Sequence, residues 1–125
     1  MIFDTDIFIW VQRGNEKAAR LIDKNEDRYL SVQSYMELLQ GAKNAKQHKY
    51  VKDFISEFDF SVLPLSENIG HRALIYVEEY ALSSNMRAGD AIIAATAVEN
   101  NLPMVSSNAK HFKAVKELQL NIFKP

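Results

Sequence analysis

Cysteine is missing from the 125 residues of this chain, which excludes a disulfide framework and any thiolate-bound zinc. No apolar run approaches the roughly 20 residues of a membrane-spanning helix. The N-terminus has neither a basic region nor a small-residue cleavage site, so the expected address is the cytoplasm, with no membrane contact. Charge of one sign is also lacking: 15 Lys and Arg stand against 16 Asp and Glu, a formal net charge of −1. No global basic field advertises nucleic acid or an anionic membrane, so a nucleic-acid contact would need a local patch. The four glycines and three prolines cluster into no linker, and no repeat or low-complexity tract breaks the chain. What is there, 47% apolar and 25% charged residues, is ordinary for a globular protein. The length suits one domain over residues 1–125 with a core of its own.

Short apolar runs alternate with helical patterns. Met1-Ile2-Phe3 reads as a strand, followed by a short helix from Asp6 to about Gln12 that ends near Gly14. Asn15 can cap a helix through Ala18, Leu21 and Ile22, at three-to-four spacing. A strand over Arg28–Val32 precedes a helix opened by Ser34, and Val51, Phe54, Ile55 and Phe58 form the buried stripe of the next helix. Phe60–Leu65 is a third strand, which Pro64 assigns to an edge or a strand end. Ser66 caps a helix through Ile69, Ala73, Tyr76, Val77 and Tyr80, and the uniformly apolar run AIIAATAV after Asp90 must be a central helix. Leu102–Ser106 and Leu120–Phe123 complete five strands. Strands separated by helices need crossovers, hence a three-layer α/β/α fold around a mostly parallel sheet. Ligand sites in such sheets lie beyond the carboxyl ends of the strands, where Asp4 emerges.

Asp4, Glu37, Asp90 and the run Ser106-Ser107-Asn108 each set polar side chains against an apolar element. Bland explanations exist for most of them. Asp6 caps the first helix, Ser34 and Glu37 have capping-box spacing, Asp90 favours the positive end of a helix, and Asn108 can cap the turn that begins at Ala109. Asp4, a carboxylate directly off a core strand, has no such duty. If Asp4, Glu37 and Asp90 converge at ~5 Å, each pair repels by roughly 3 kcal/mol at an effective dielectric of ~20. Three pairs sum to ~10 kcal/mol, comparable with the ~5–15 kcal/mol stability of a whole domain. A cation then has to occupy the cluster, or some carboxylates stay protonated. An all-oxygen donor set suits Mg²⁺ or Mn²⁺, ions that bind phosphate oxygens and acidify water into a nucleophile for a phosphodiester.

In this order, Met1–Ile9, Ser31–Leu39, Gly89–Ala97 and Leu102–Phe112 resemble the corresponding segments of the PIN-domain nucleases, in particular the VapC-type toxins of prokaryotic toxin–antitoxin pairs. The likeness spans essentially the whole chain. It implies a PIN-like fold, Asp4, Glu37 and Asp90 as the acids that hold a divalent Mg²⁺ or Mn²⁺, Asn108 as a further catalytic residue beside them, and Ser106, Thr5 and Asp6 as supporting groups. Asn108 falls where many members have a fourth acid, which favours one well-held ion over two. The resemblance further implies cleavage of RNA, a homodimer, and a cognate antitoxin partner. Arg87 and Lys110, beside the acidic motifs, are the expected RNA contacts. Lys43, Lys46, Lys49 and Lys52 read as a solvated face, and His111 as a packing or hydrogen-bonding residue.

Two rivals remain open. Ile2–Asp6 also resembles the DxD loop of the haloacid dehalogenase superfamily, with Asp4 as a phosphorylated nucleophile and Asp6 as general acid. A non-catalytic module using the same fold for protein contacts is the other, although a degenerate scaffold has no reason to keep three acids intact.

Overall fold

Ile2 and Phe3 form the first strand, β1, and their side chains enter opposite layers, as a period-two backbone requires. All 125 residues are described by a computed structural model. The order along the chain is β1 (Ile2–Phe3), α1 (Thr5–Gln12), α2 (Glu16–Lys24), β2 (Tyr29–Ser31), α3 (Val32–Gly41), α4 (Ala45–Glu57), β3 (Ser61–Leu63), α5 (Glu67–Ser84), α6 (Ala88–Glu99), β4 (Met104–Ser106), α7 (Ala109–Phe112) and β5 (Leu120–Ile122).

The five strands lie in the order β3-β2-β1-β4-β5, and every pairing is parallel. From β1 the chain builds outward through β2 to β3, then returns to the other side of β1 for β4 and β5. That reversal makes the β1–β4 boundary a topological switch point, where the loops at the strand carboxyl ends diverge and leave a crevice.

Each face of the sheet has its own core. On one side Phe3, Leu30 and Val105 meet Ile7 and Phe8 of α1, Ala18 and Ile22 of α2, Leu38 of α3, and Val51 and Ile55 of α4. On the other, Ile2 and Met104 meet Ile69, Ala73 and Tyr76 of α5, the apolar run of α6, and Phe112 of α7. Helix α6 is buried over Ala91 and Ile93–Ala97, as its sequence requires. The three-layer, parallel expectation holds, and β3, followed by Pro64, is an edge.

Two helix starts differ from expectation. Helix α1 begins at Thr5, and its N-cap is Asp4, whose side chain accepts from the Thr5 N–H. Asp6 lies inside the first turn and caps nothing. Helix α3 begins at Val32, capped by Ser31, which accepts from the Gln33 N–H. A serine closing a strand outcompeted one a turn later, because it meets the N–H groups as soon as the backbone leaves the extended region. Ser34 and Glu37 therefore form no capping box, and Ser34 is fully buried inside the helix. The side chain of Asn108 makes no capping hydrogen bond to α7 either.

Candidate active site

Asp4 leaves the carboxyl end of β1 at the switch point, beside Ser106 at the end of β4. Its backbone N–H donates to the Val105 carbonyl at 3.0 Å. The Ser106 hydroxyl donates to Asp4 Oδ2 at 2.7 Å and the Thr5 N–H to Oδ1 at 2.8 Å. The residue is only 4% exposed and forms no ion pair with a lysine or arginine. Burial, and then the nearby Asp6 and Asp90 charges, push its carboxyl up to about 8, against the two hydrogen bonds. Asp4 thus does have a local duty, as a helix cap, but a cap does not neutralise a buried carboxylate.

Glu37 reaches the same region from α3. Its Oε1 accepts from the Thr5 hydroxyl at 2.5 Å and its Oε2 from Gln33 Nε2 at 3.1 Å. The Thr5 hydroxyl also lies 2.9 Å from Ser34 Oγ. Asp90 stands at the start of α6, where its Oδ2 receives the Arg87 N–H and faces His111 Nδ1, each at 3.1 Å. His111 hydrogen-bonds, as expected, but its partner is one of the candidate acids.

Asp6 turns to the β4–α7 loop, accepting from the Ser107 N–H at 2.9 Å and from the Ser107 hydroxyl. Trp10 Nε1 donates to that hydroxyl at 3.3 Å, so α1 holds the loop in place. Asp6 Oδ1 is buried without a hydrogen-bond partner. Asn108 follows in the loop, its backbone N–H donating to Ser106 Oγ at 2.9 Å. Arg87 and Lys110 are exposed, as are Lys43, Lys46, Lys49 and Lys52. Lys49 pairs with Asp53 at 2.6 Å, in keeping with a solvated face.

Asp4, Glu37 and Asp90 are therefore gathered at one end of the sheet through Thr5 and the α6 N-terminus. Their side chains stop short of closing on a single point, since no three carboxylate or imidazole groups stand close enough to share one ion. A hard divalent cation fits the chemistry of the donors: a buried acid without a counter-charge, an unpartnered carboxylate oxygen on Asp6, and only oxygen ligands. A cleft of about 500 Å³ opens beside Thr5 and Glu37, bounded by Ile9, Gln12, Gln47 and Tyr50.

Several contacts escaped the sequence reading. The bond from Gln33 to Glu37 had a visible signal, four-residue spacing on one helix. The contacts of His111 with Asp90 and of Trp10 with Ser107 had none, because 21 and 97 residues separate the partners.

The family model described as PIN domain matches residues 1–118. Ribonuclease VapC10 of Mycobacterium tuberculosis is 33% identical over 124 residues, covering 95% of this chain and 90% of that protein. Among solved structures, a toxin-antitoxin complex from Klebsiella pneumoniae superposes with a TM-score of 0.79 at 27% identity, covering 94% of this chain and 93% of the other. VapBC2 from Rickettsia felis, bound to a DNA fragment from their promoter, superposes with a TM-score of 0.76 over 99% of this chain and 100% of its own. At 22% identity that likeness speaks for the fold alone.

Proposed function

The chain belongs to the PIN domain family, and from that premise we propose that it is a metal-dependent endoribonuclease, the toxin of a VapBC-type toxin–antitoxin pair. The observation that carries this reading is Asp4: a carboxylate 4% exposed, at the switch point of a parallel sheet, facing other acids and no cationic side chain.

Asp4, Glu37 and Asp90 hold Mg²⁺ or Mn²⁺. Once bound, the ion supplies Lewis acidity toward phosphate oxygens and toward water. The protein's own share is orientation. Ser106 and the Thr5 N–H fix both Asp4 oxygens, while the Arg87 N–H and His111 engage Asp90 Oδ2 and leave Oδ1 as the oxygen for an ion. Asn108 sits at the rim of the site on a loop anchored by Asp6, and its neutral amide favours one ion over two. Arg87 and Lys110, both exposed and close in sequence to Asp90 and Asn108, meet RNA phosphates as charge-assisted contacts. An antitoxin partner belongs to this reading, supported by the toxin–antitoxin complex among the structural relatives, and so does a homodimer. It places the protein in the cytoplasm, and no helix is long and apolar enough to cross a membrane.

The phosphatase-like alternative needs an Asp6 carboxyl open to substrate as a general acid, whereas Asp6 Oδ2 is bound to Ser107 and Oδ1 is buried. The test is cutting of cellular RNA by purified protein with and without chelator, beside Asp4→Asn, Glu37→Gln and Asp90→Asn. Each variant is checked by circular dichroism for its fold. Chelator-sensitive cutting that all three variants lose is expected; chelator-resistant cutting at wild-type level by the variants would end the proposal.

A further inference from the structure

Gly89, the second residue of α6, has no backbone reason to be glycine: the one glycine with positive φ is Gly14. Alanine is the better helix former, so glycine here works against the helix. Its reason is steric. A Cβ at position 89 would stand 2.6 Å from Glu37 Oε2 and 3.3 Å from Gln33 Nε2. The first distance is one that real Cβ atoms do not show, so a side chain at 89 would force the end of Glu37 to move.

The same carboxylate is held on its other sides. Gln33, one turn earlier on α3, donates to Oε2 at 3.1 Å. A carboxylate only accepts, so the Thr5 proton goes to Oε1 at 2.5 Å, and the Ser34 proton fills the 2.9 Å contact between the two hydroxyls. Thr5 is the neighbour of Asp4 and Gly89 the neighbour of Asp90. The third acid is thus lodged in the seam between the residues that bear the other two.

We propose that Gln33 and Gly89 are positioning residues that set the Glu37 carboxylate between Asp4 and Asp90, Gln33 by its amide N–H and Gly89 by its missing side chain. This rests on the nuclease reading, because only a shared ion requires Glu37 to be placed there.

The test compares wild type with Gly89→Ala, Gln33→Met, Glu37→Asp, Glu37→Gln and Gly89→Ala in the Glu37→Asp background. The readouts are metal-free melting temperature, Mn²⁺ affinity by calorimetry, and kinetics on a labelled single-stranded RNA of mixed sequence. Gly89→Ala should melt at or above the wild-type temperature, bind Mn²⁺ about tenfold more weakly, and lose on the order of 10²-fold in kcat with KM little changed. In the Glu37→Asp background the same alanine should add less than about twofold, because the shortened acid no longer meets the Cβ. Gln33→Met should lose about tenfold in kcat.

Wild-type cutting and Mn²⁺ binding by Gly89→Ala and Gln33→Met, with Glu37→Gln inactive, would overturn the proposal and leave the nuclease reading standing. A fall in melting temperature large enough to account for the lost activity would assign Gly89 to packing and overturn it too. If wild type and Glu37→Gln are equally unable to cut RNA in Mn²⁺, the nuclease reading fails. Mn²⁺ affinity then decides the clamp: unchanged in Gly89→Ala overturns it, weakened supports it.

Discussion

Helix α6 has acids near both ends, Asp90 and Glu99, about 14 Å apart along its axis, and the two ends treat them in opposite ways. At the C-terminal end, Glu99 meets Arg72 Nε at 2.5 Å, and the same guanidinium reaches Glu117 at 2.7 Å. The Tyr76 hydroxyl donates to Glu117 as well, and this bond, with the arginine, holds the Glu117 carboxyl below its ordinary range. Every acid there has a cation, and the result is a strut joining α5, α6 and the segment before β5. At the N-terminal end, Asp4, Asp6 and Glu37 meet hydroxyls, an amide and backbone N–H groups, but no lysine or arginine side chain; Asp90 meets the Arg87 N–H and the His111 ring. Dipoles orient a carboxylate without neutralising it. One molecule thus contains a completed ionic network and one that lacks a lysine or arginine, and the second is the proposed site.

That contrast can be broken experimentally. The largest effect belongs to Asp4→Asn, expected to lower RNA cutting by at least about 10²-fold while raising the metal-free melting temperature, since a buried acid gives way to a neutral amide. Lower stability with full activity would place Asp4 with the structural acids. Next is pH. The folded Asp4 carboxyl sits at about 8 against 3.8 for an ordinary one, so the folded state holds a proton that the unfolded chain has released. The stability this gives is complete below the ordinary value and is lost as pH rises toward about 8. Metal-free protein should therefore weaken across that window at up to about 1.4 kcal/mol per pH unit, measured by urea unfolding. Asp4→Asn or added Mg²⁺ should flatten the slope, and Glu117→Gln should not.

A smaller effect is expected at the other end of α6. Arg72→Met should cost about 1 kcal/mol in urea unfolding, modest because the guanidinium is 32% exposed, and should leave cutting per folded molecule unchanged. Smallest is His111→Phe, expected to weaken Mg²⁺ binding by about two- to tenfold. Asn at 111 can place an N–H where Nδ1 stands and should recover most of that loss. Equal behaviour of the two variants would remove His111 from the orientation of Asp90.

Much of this was legible in the residues. The stripe of α4, the apolar run of α6 and the edge position implied by Pro64 follow from local chemistry, as does the oddity of a carboxylate after Ile2-Phe3. Cap assignments were less legible. Asp4 and Asp6, or Ser31 and Ser34, are equally good caps in isolation, and the choice depends on where the backbone leaves the sheet. Which residues hold the acids was barely visible, because Thr5, Gly89 and His111 act across 32, 52 and 21 residues of chain.

By itself the sequence determined the periodicities, hence five strands, alternating helices and a parallel sheet, together with the inventory of acids. These are properties of neighbours along the chain, where spacing and side-chain type suffice. The tertiary structure alone decided that β1 and β4 are adjacent, that Thr5 and Gly89 cradle Glu37, and that Glu99 finds Arg72 while Asp4 finds no cation. The reason is that charge and steric contact act through space, at a few ångströms, between segments whose order in the chain says nothing about their distance.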